Sequence, residues 1–385
     1  MTKKGFYRNP FSGRKTPLQM SGLFLFSPNV DMKLTGHPMR QLFAEMGHES
    51  LYKRAQQLNP FDDQAAERLM QELVGIFPNT ALAPIMAAVS HGDAAAQAAV
   101  AAMGTWELAL YDQEHGSAGP LSAHNRFILE IEHACKAPFA SARQHRMAEV
   151  VALLSEHPLM RNFLWPEATD ALLAAADPLA LLPVQASVAL EIRLSLIAIA
   201  DVTLGEVAPN TPSHFTGLLP SAENPARNPT ALFFAWMKRA AGAATIEAML
   251  SNRSPGRLFA DVTTLKRWSN GSHHPRVEWL RLFSKELFGD PDYKPLWSRY
   301  WAATYLNFIG HLAETCLRGV RAGARLPQAA AWSPWPRLPF DNCTIESWLA
   351  TRYPLWLDFH RARLVMTDAA SNPTASHWNL GHPRG

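Results

Sequence analysis

Residues Asp261–Gly289 read DVTTLKRWSNGSHHPRVEWLRLFSKELFG, and their spacing predicts two short helices joined by a Gly/Pro turn. Asp261 is a good N-cap, and an acid there also suits the positive end of the helix dipole. Val262, Leu265 and Trp268 recur at three-residue steps and make one apolar stripe. Thr263, Thr264, Lys266 and Arg267 are left on other faces. Asn270-Gly271 supplies the left-handed residue that ends a helix. Pro275 then sits where the next helix begins, and Val277, Leu280, Phe283 (or Ser284) and Leu287 form its buried face. In the turn, His273 and His274 read as exposed fillers.

Upstream, Leu232–Ala240 and Ile246–Leu250 can supply two more short helices. Positive charge gathers here: Trp236–Phe288 holds nine Lys/Arg against four Asp/Glu, a local excess of five where the whole chain has a net charge of +3. The stretch LKRWSNGSHHPRVEWLRLFSKEL resembles the lambda-repressor-like helix-turn-helix family, in which a recognition helix is followed by a Gly, a Pro and a closing amphipathic helix. The resemblance implies double-stranded DNA as partner. It implies that Thr263, Thr264 and Arg267 face base edges, with Lys266 beside them and Arg276 near a phosphate. The chain departs from the family at Ser251–Ala260, a longer link than the family's tight turn, and the likeness spans about residues 230–289. An ordinary helical hairpin gives the same string. The alternative is therefore a helical scaffold whose partner is a protein and in which the hairpin is structural.

The rest of the chain points to an all-α fold of bundle-like helical domains with the helix-turn-helix-like module embedded. Asp62–Phe77 repeats Ala65, Leu69, Leu73 and Phe77 at four-residue intervals, and Ala81–Met103 reads as two close-packed helices broken at Gly92-Asp93. Ser122–Cys135, Ser141–Ser155 and Pro166–Ala176 continue the pattern. Leu179–Val202 reads as a buried helix with Glu191 and Arg193 on its wetter side, because those charges leave no apolar run long enough to span a bilayer. Thr344–Asp368 reads as a helix broken at Pro354, and Ala369–Gly385 as a loose polar tail. The expected organisation is a basic N-terminal arm at 1–35, a helical domain at 36–207, a Pro-rich linker at 208–229, a helix-turn-helix-like domain at 230–325 and a Pro/Trp-rich segment at 326–385. In the arm, Lys3, Lys4, Arg8, Arg14 and Lys15 alternate with Phe6, Tyr7 and Phe11, a composition that suits a phosphate backbone or a solubilising tail.

Other chemistry lacks a signature. Three separated cysteines, Cys135, Cys316 and Cys343, make neither a disulfide framework nor a zinc finger, and with no apolar leader at the N-terminus they fit a reducing cytoplasm. No P-loop, dinucleotide fingerprint, nucleophile elbow or HExxH occurs, so no catalytic residue, cofactor or metal is assigned and an enzyme is not the favoured reading. His115, His124, His133 and His145, with Glu130 and Glu132 between them, lack the i, i+3 or i, i+4 spacing of metal ligands and read as scattered surface or core residues. The tryptophan-rich last third reads as packed core.

Overall fold

A 27-residue helix, Pro178–Leu204, is buried along most of its length, and, among the described residues, four other helices pack directly against it. Apolar side chains run all round its middle turns, with Gln185, Ser187, Glu191, Arg193, Ser195 and Asp201 buried among them, so that stretch has no wet side. Glu191 and Arg193 do not lie on a wetter side as the sequence suggested. They are 2% and 4% exposed, because neighbouring helices close over the whole circumference. In this computed structural model the described residues are 6–10, 23–26, 49–57, 123–176, 178–204, 213–220, 227–251, 262–322 and 344–369, with Val30, Leu34, Ala44, Arg68, Glu72, His91 and Asp93 placed singly. The expectations for Asp62–Phe77, Ala81–Met103, Asp261 and the Ser251–Ala260 link fall largely or wholly outside them, as do all of 326–339 and nearly all of the tail.

The described residues are all-α, with eleven α-helices and no β-strand. In chain order they are α1 (Glu49–Gln57), α2 (Ala123–Arg143), α3 (Met147–Glu156), α4 (Pro166–Ala174) and α5 (Pro178–Leu204). There follow α6 (Pro229–Ala240), α7 (Ile246–Ser251), α8 (Val262–Ser269), α9 (Val277–Phe288), α10 (Lys294–Ala322) and α11 (Ile345–Ala369). No helix among the described residues is long and apolar enough to cross a membrane.

Two helices run through internal prolines, one of which, Pro354, the sequence reading took as a break. α2 continues past Pro138, and the chain turns instead at His145, whose φ of 57° is left-handed. There the Arg146 N–H returns to the Ser141 carbonyl at 3.0 Å, closing the helix end. α11 continues through Pro354 because Pro354 and Ala350 both lie on its exposed face. The carbonyl that proline leaves without an amide is then on the solvent side of the helix.

α2 and α4 pack against α5, α3 packs against both of them, and α11 also lies along α5. The α5–α11 seam carries a buried polar line. Glu191 Oε1 accepts from Arg352 Nε at 2.7 Å and from Trp356 Nε1 at 2.6 Å. Further along, Ser195 Oγ and His360 Nε2 share a hydrogen bond at 2.8 Å. Asp201 then accepts from the Tyr353 hydroxyl and the His214 N–H, each at 2.7 Å, and from the Ser213 hydroxyl, which pins 213–215 to the end of α5. Arg352, Trp356 and His360 stand at i, i+4 and i+8, one stripe of α11. α10 packs against both α5 and α6, and so connects this core to the segment from α6 to α9.

Candidate nucleic-acid interface

α8 is an amphipathic helix of eight residues whose dry side is Leu265 and Trp268, 1% and 6% exposed. Trp268 stacks on Phe234 of α6 at 6.2 Å and meets Phe283 of α9 edge-on at 6.0 Å, so one indole joins three helices. Val262, expected on the same stripe, is 39% exposed. Six residues at 100° each set it about 120° away from Trp268, so a strict three-residue repeat drifts off the buried face. Leu280, Phe283 and Leu287 are on the buried side of α9 as their spacing predicted, Ser284 is buried beside Phe283 rather than instead of it, and Val277 is only half-buried.

The residues singled out for DNA contact fall into two groups. Thr263, Lys266 and Arg267 are exposed together at i, i+3 and i+4, one face of α8. Thr264 is half-buried on its flank. Arg276 is exposed and occupies the N-cap position of α9, across the turn. Lys266 Nζ lies 3.3 Å from a Glu247 carboxylate oxygen of α7, with the side chains 63% and 45% exposed. A pair that wet contributes little and exchanges readily with other anions.

The turn that holds α8 against α9 is fastened from inside. Gly271 has φ +72°, and its N–H closes on the Trp268 carbonyl at 2.9 Å. The Arg267 carbonyl accepts from the His273 N–H at 3.1 Å and the Ser272 hydroxyl at 3.0 Å. The Gly271 carbonyl accepts from Asn228 Nδ2 at 2.8 Å and from Arg8 Nε at 2.6 Å. Asn228 also caps α6, its Oδ1 accepting from the Ala231 N–H at 3.1 Å, and gives its second amide proton to the Phe6 carbonyl at 2.9 Å. Tyr300 Oη donates to the Pro275 carbonyl at 2.9 Å. The Phe6 and Arg8 N–H groups donate to Glu314 Oε1 and Asn307 Oδ1 at 2.7 and 3.1 Å, so this part of the N-terminal arm is bound to α10.

His274 is not the exposed filler that its place in the turn suggested; only His273 is exposed. Its ring stacks on Tyr300 at 5.2 Å and is held at both nitrogens. Thr304 Oγ1 donates to the Tyr300 carbonyl at 2.8 Å, so it accepts from His274 Nε2–H at 2.8 Å. Thr230 Oγ1 accepts from Asn307 Nδ2 at 2.9 Å and gives its own proton to His274 Nδ1 at 2.8 Å. Every polar atom of the ring is used by the neutral form. Burial accordingly lowers its pKa from 6.5 to about 4.

That shift has a signed consequence. The unfolded chain protonates this ring below about pH 6.5 and the folded chain only below about 4. The stability that neutral His274 contributes is therefore complete above pH 6.5 and lost as pH falls from 6.5 to 4, on the order of 3 kcal/mol. Urea unfolding of the native protein and a His274→Gln variant across that window should give curves that converge as the pH drops. Parallel curves would contradict it.

Sequence reasoning missed this internal frame. Asn228-Pro229 was readable as an N-cap followed by proline at the first helical position. The i, i+4 and i+7 spacing of Tyr300, Thr304 and Asn307 marks one face of α10. Among the described residues no group of three or more His, Cys, Asp or Glu could hold a metal ion; His115 and His124 are outside the described side chains, and His133 and His145 are exposed. No family model, curated protein or solved structure matches the chain.

Proposed function

We propose that the protein binds double-stranded DNA without catalysing a reaction on it, presenting α8 to the major groove. One observation carries the reading: Thr263, Lys266 and Arg267 are exposed together on one face of a helix whose opposite side is locked by Trp268. A rigid helix with hydroxyl and cationic donors on its free face suits base edges and phosphates, and Arg276 across the turn suits a flanking phosphate. The local excess of five positive charges supplies attraction that the chain as a whole lacks. The work belongs in the cytoplasm, and no enzyme activity is assigned.

Fluorescence anisotropy with a random-sequence duplex should show binding that weakens steeply between 50 and 200 mM salt. Lys266→Ala and Arg267→Ala should each weaken it about tenfold and reduce the salt slope by about one. Binding that is undetectable at low salt, or equal in all three proteins, overturns the proposal. It would leave the second reading, a helical scaffold for a protein partner, which the Lys266–Glu247 pair favours because it engages the cation within the fold.

A further inference from the structure

Between α5, α10 and the Thr216–Leu218 turn lies a cavity of about 390 Å³, within the range of small-molecule sites. Leu196, Ile197, Ala200, Thr203 and Leu204 line it from α5 at i, i+1, i+4, i+7 and i+8, one stripe of the helix. Ser298, Trp301, Ala302 and Tyr305 line it from α10, again one stripe. Phe215, whose N–H donates to Asp201 Oδ2 at 3.3 Å, closes a side.

Two links show that α5 and α10 run antiparallel past the cavity. At one end the Arg193 guanidinium lies 5.4 Å from the Tyr305 ring centroid. At the other, Asp201 accepts from the His214 N–H at 2.7 Å, and His214 Nδ1 accepts from Arg299 Nη2 at 3.1 Å. Thr203 and Ser298 therefore share one end. That end is the mouth: Thr203 is exposed and Ser298 and Leu204 are half-buried, while Leu196, Ile197, Phe215 and Ala302 are buried and form the floor. The polar chemistry of the mouth is one-sided. The Thr203 hydroxyl donates to the Ile199 carbonyl at 3.0 Å, and the Ser298 hydroxyl to the Lys294 carbonyl at 2.9 Å. With their protons committed to their own helices, both oxygens can only accept from a ligand. Arg193 borders the inner end but is already engaged within the fold, so it takes no part in recognising the ligand.

We infer that this cavity binds a neutral, apolar alcohol or phenol, with its hydrocarbon body between α5 and α10 and its hydroxyl donating at the Thr203–Ser298 mouth. The walls favour the body through burial of apolar surface, and the acceptor-only mouth selects a ligand that brings its own donor. A carboxylate has no proton to give those oxygens, and any ion loses hydration against the apolar walls. The site does not depend on DNA binding and is tested without DNA.

Isothermal titration calorimetry of the full chain with 1-octanol is the test, with octyl methyl ether as the counterpart that lacks a donor and octanoate as the anion. Octanol should bind one-to-one and about fivefold more tightly than the ether, the worth of one neutral hydrogen bond. Octanoate should bind more weakly than octanol, by about tenfold or more. The double variant Thr203→Val/Ser298→Ala removes both acceptors from positions that are not fully buried. It should bring octanol down to the affinity of the ether and leave the ether unchanged. Ala200→Trp, which fills the cavity and removes no polar group, should weaken octanol about tenfold or more while the far-ultraviolet circular dichroism stays native. Non-saturable uptake, equal affinity for alcohol and ether in the native protein, tighter binding of octanoate than octanol, or full binding by Ala200→Trp overturns the inference.

Discussion

Glu191→Leu is expected to destabilise the fold by about 3–5 kcal/mol, and Arg352→Met by a similar amount, since each strands its partner's charge in the core. Both side chains are nearly inaccessible, 2% and 4% exposed, and they meet through one oxygen and one nitrogen at 2.7 Å. The same carboxylate oxygen accepts from Trp356 Nε1 at 2.6 Å, so removing Glu191 also leaves a buried indole N–H unpaired. The Arg352 guanidinium lies 5.8 Å from the Trp356 ring centroid, a contact that packs but does not neutralise. The double variant Glu191→Leu/Arg352→Met removes both charges and should recover most of the loss. Urea unfolding of the four proteins reads the cycle. Single variants within about 1 kcal/mol of native, or a double variant that simply sums them, would contradict a mutually dependent buried pair.

The second large effect is at Gly271. An alanine there faces left-handed backbone strain of roughly 1–2 kcal/mol. Its Cβ would also lie 2.1 Å from Asn228 Oδ1 and 2.7 Å from Asn228 Nδ2. Asn228 is 3% exposed and serves the Ala231 N–H and the carbonyls of Phe6 and Gly271, so it cannot swing aside without orphaning them. Gly271→Ala should therefore cost about 3 kcal/mol or more. Gly289 provides the internal comparison: its φ is +76°, but an added Cβ meets nothing within 4 Å. Gly289→Ala should show the strain alone, about 1–2 kcal/mol. Equal midpoint shifts for the two variants in denaturant would mean that Asn228 does not lock the turn.

Local chemistry made part of this legible. Asn270-Gly271 followed by Pro275 announced a left-handed turn between two helices, and Leu280, Phe283 and Leu287 announced the buried side of α9. The high apolar content of Leu179–Val202 marked it as a core helix. Long-range pairing was not legible. Glu191 meets Arg352, 161 residues later in the chain, and nothing near Glu191 records that partner. A charge in a helix with no polar face was read as pointing to water, whereas the second charge arrives with α11. His274 looked like a turn residue because its immediate neighbours are; its partners Thr230 and Thr304 are 44 and 30 residues away. Pro354 was read as a break from its missing donor, but whether that matters depends on which face the proline occupies. At the candidate site, the polar side chains of α8 were readable, while the frame that orients them lies on α6, α10 and Phe6–Arg8.

The most direct test of α8 as the DNA-contacting surface is a lysine-acetylation footprint read by mass spectrometry, with and without a random-sequence duplex at low salt. Lys266, exposed on α8, should lose at least tenfold in reactivity when duplex is added. Lys53, exposed on α1, should keep its own. Lys266 reacting equally in both samples, or protection confined to lysines away from α8 and α9, would contradict the proposed interface.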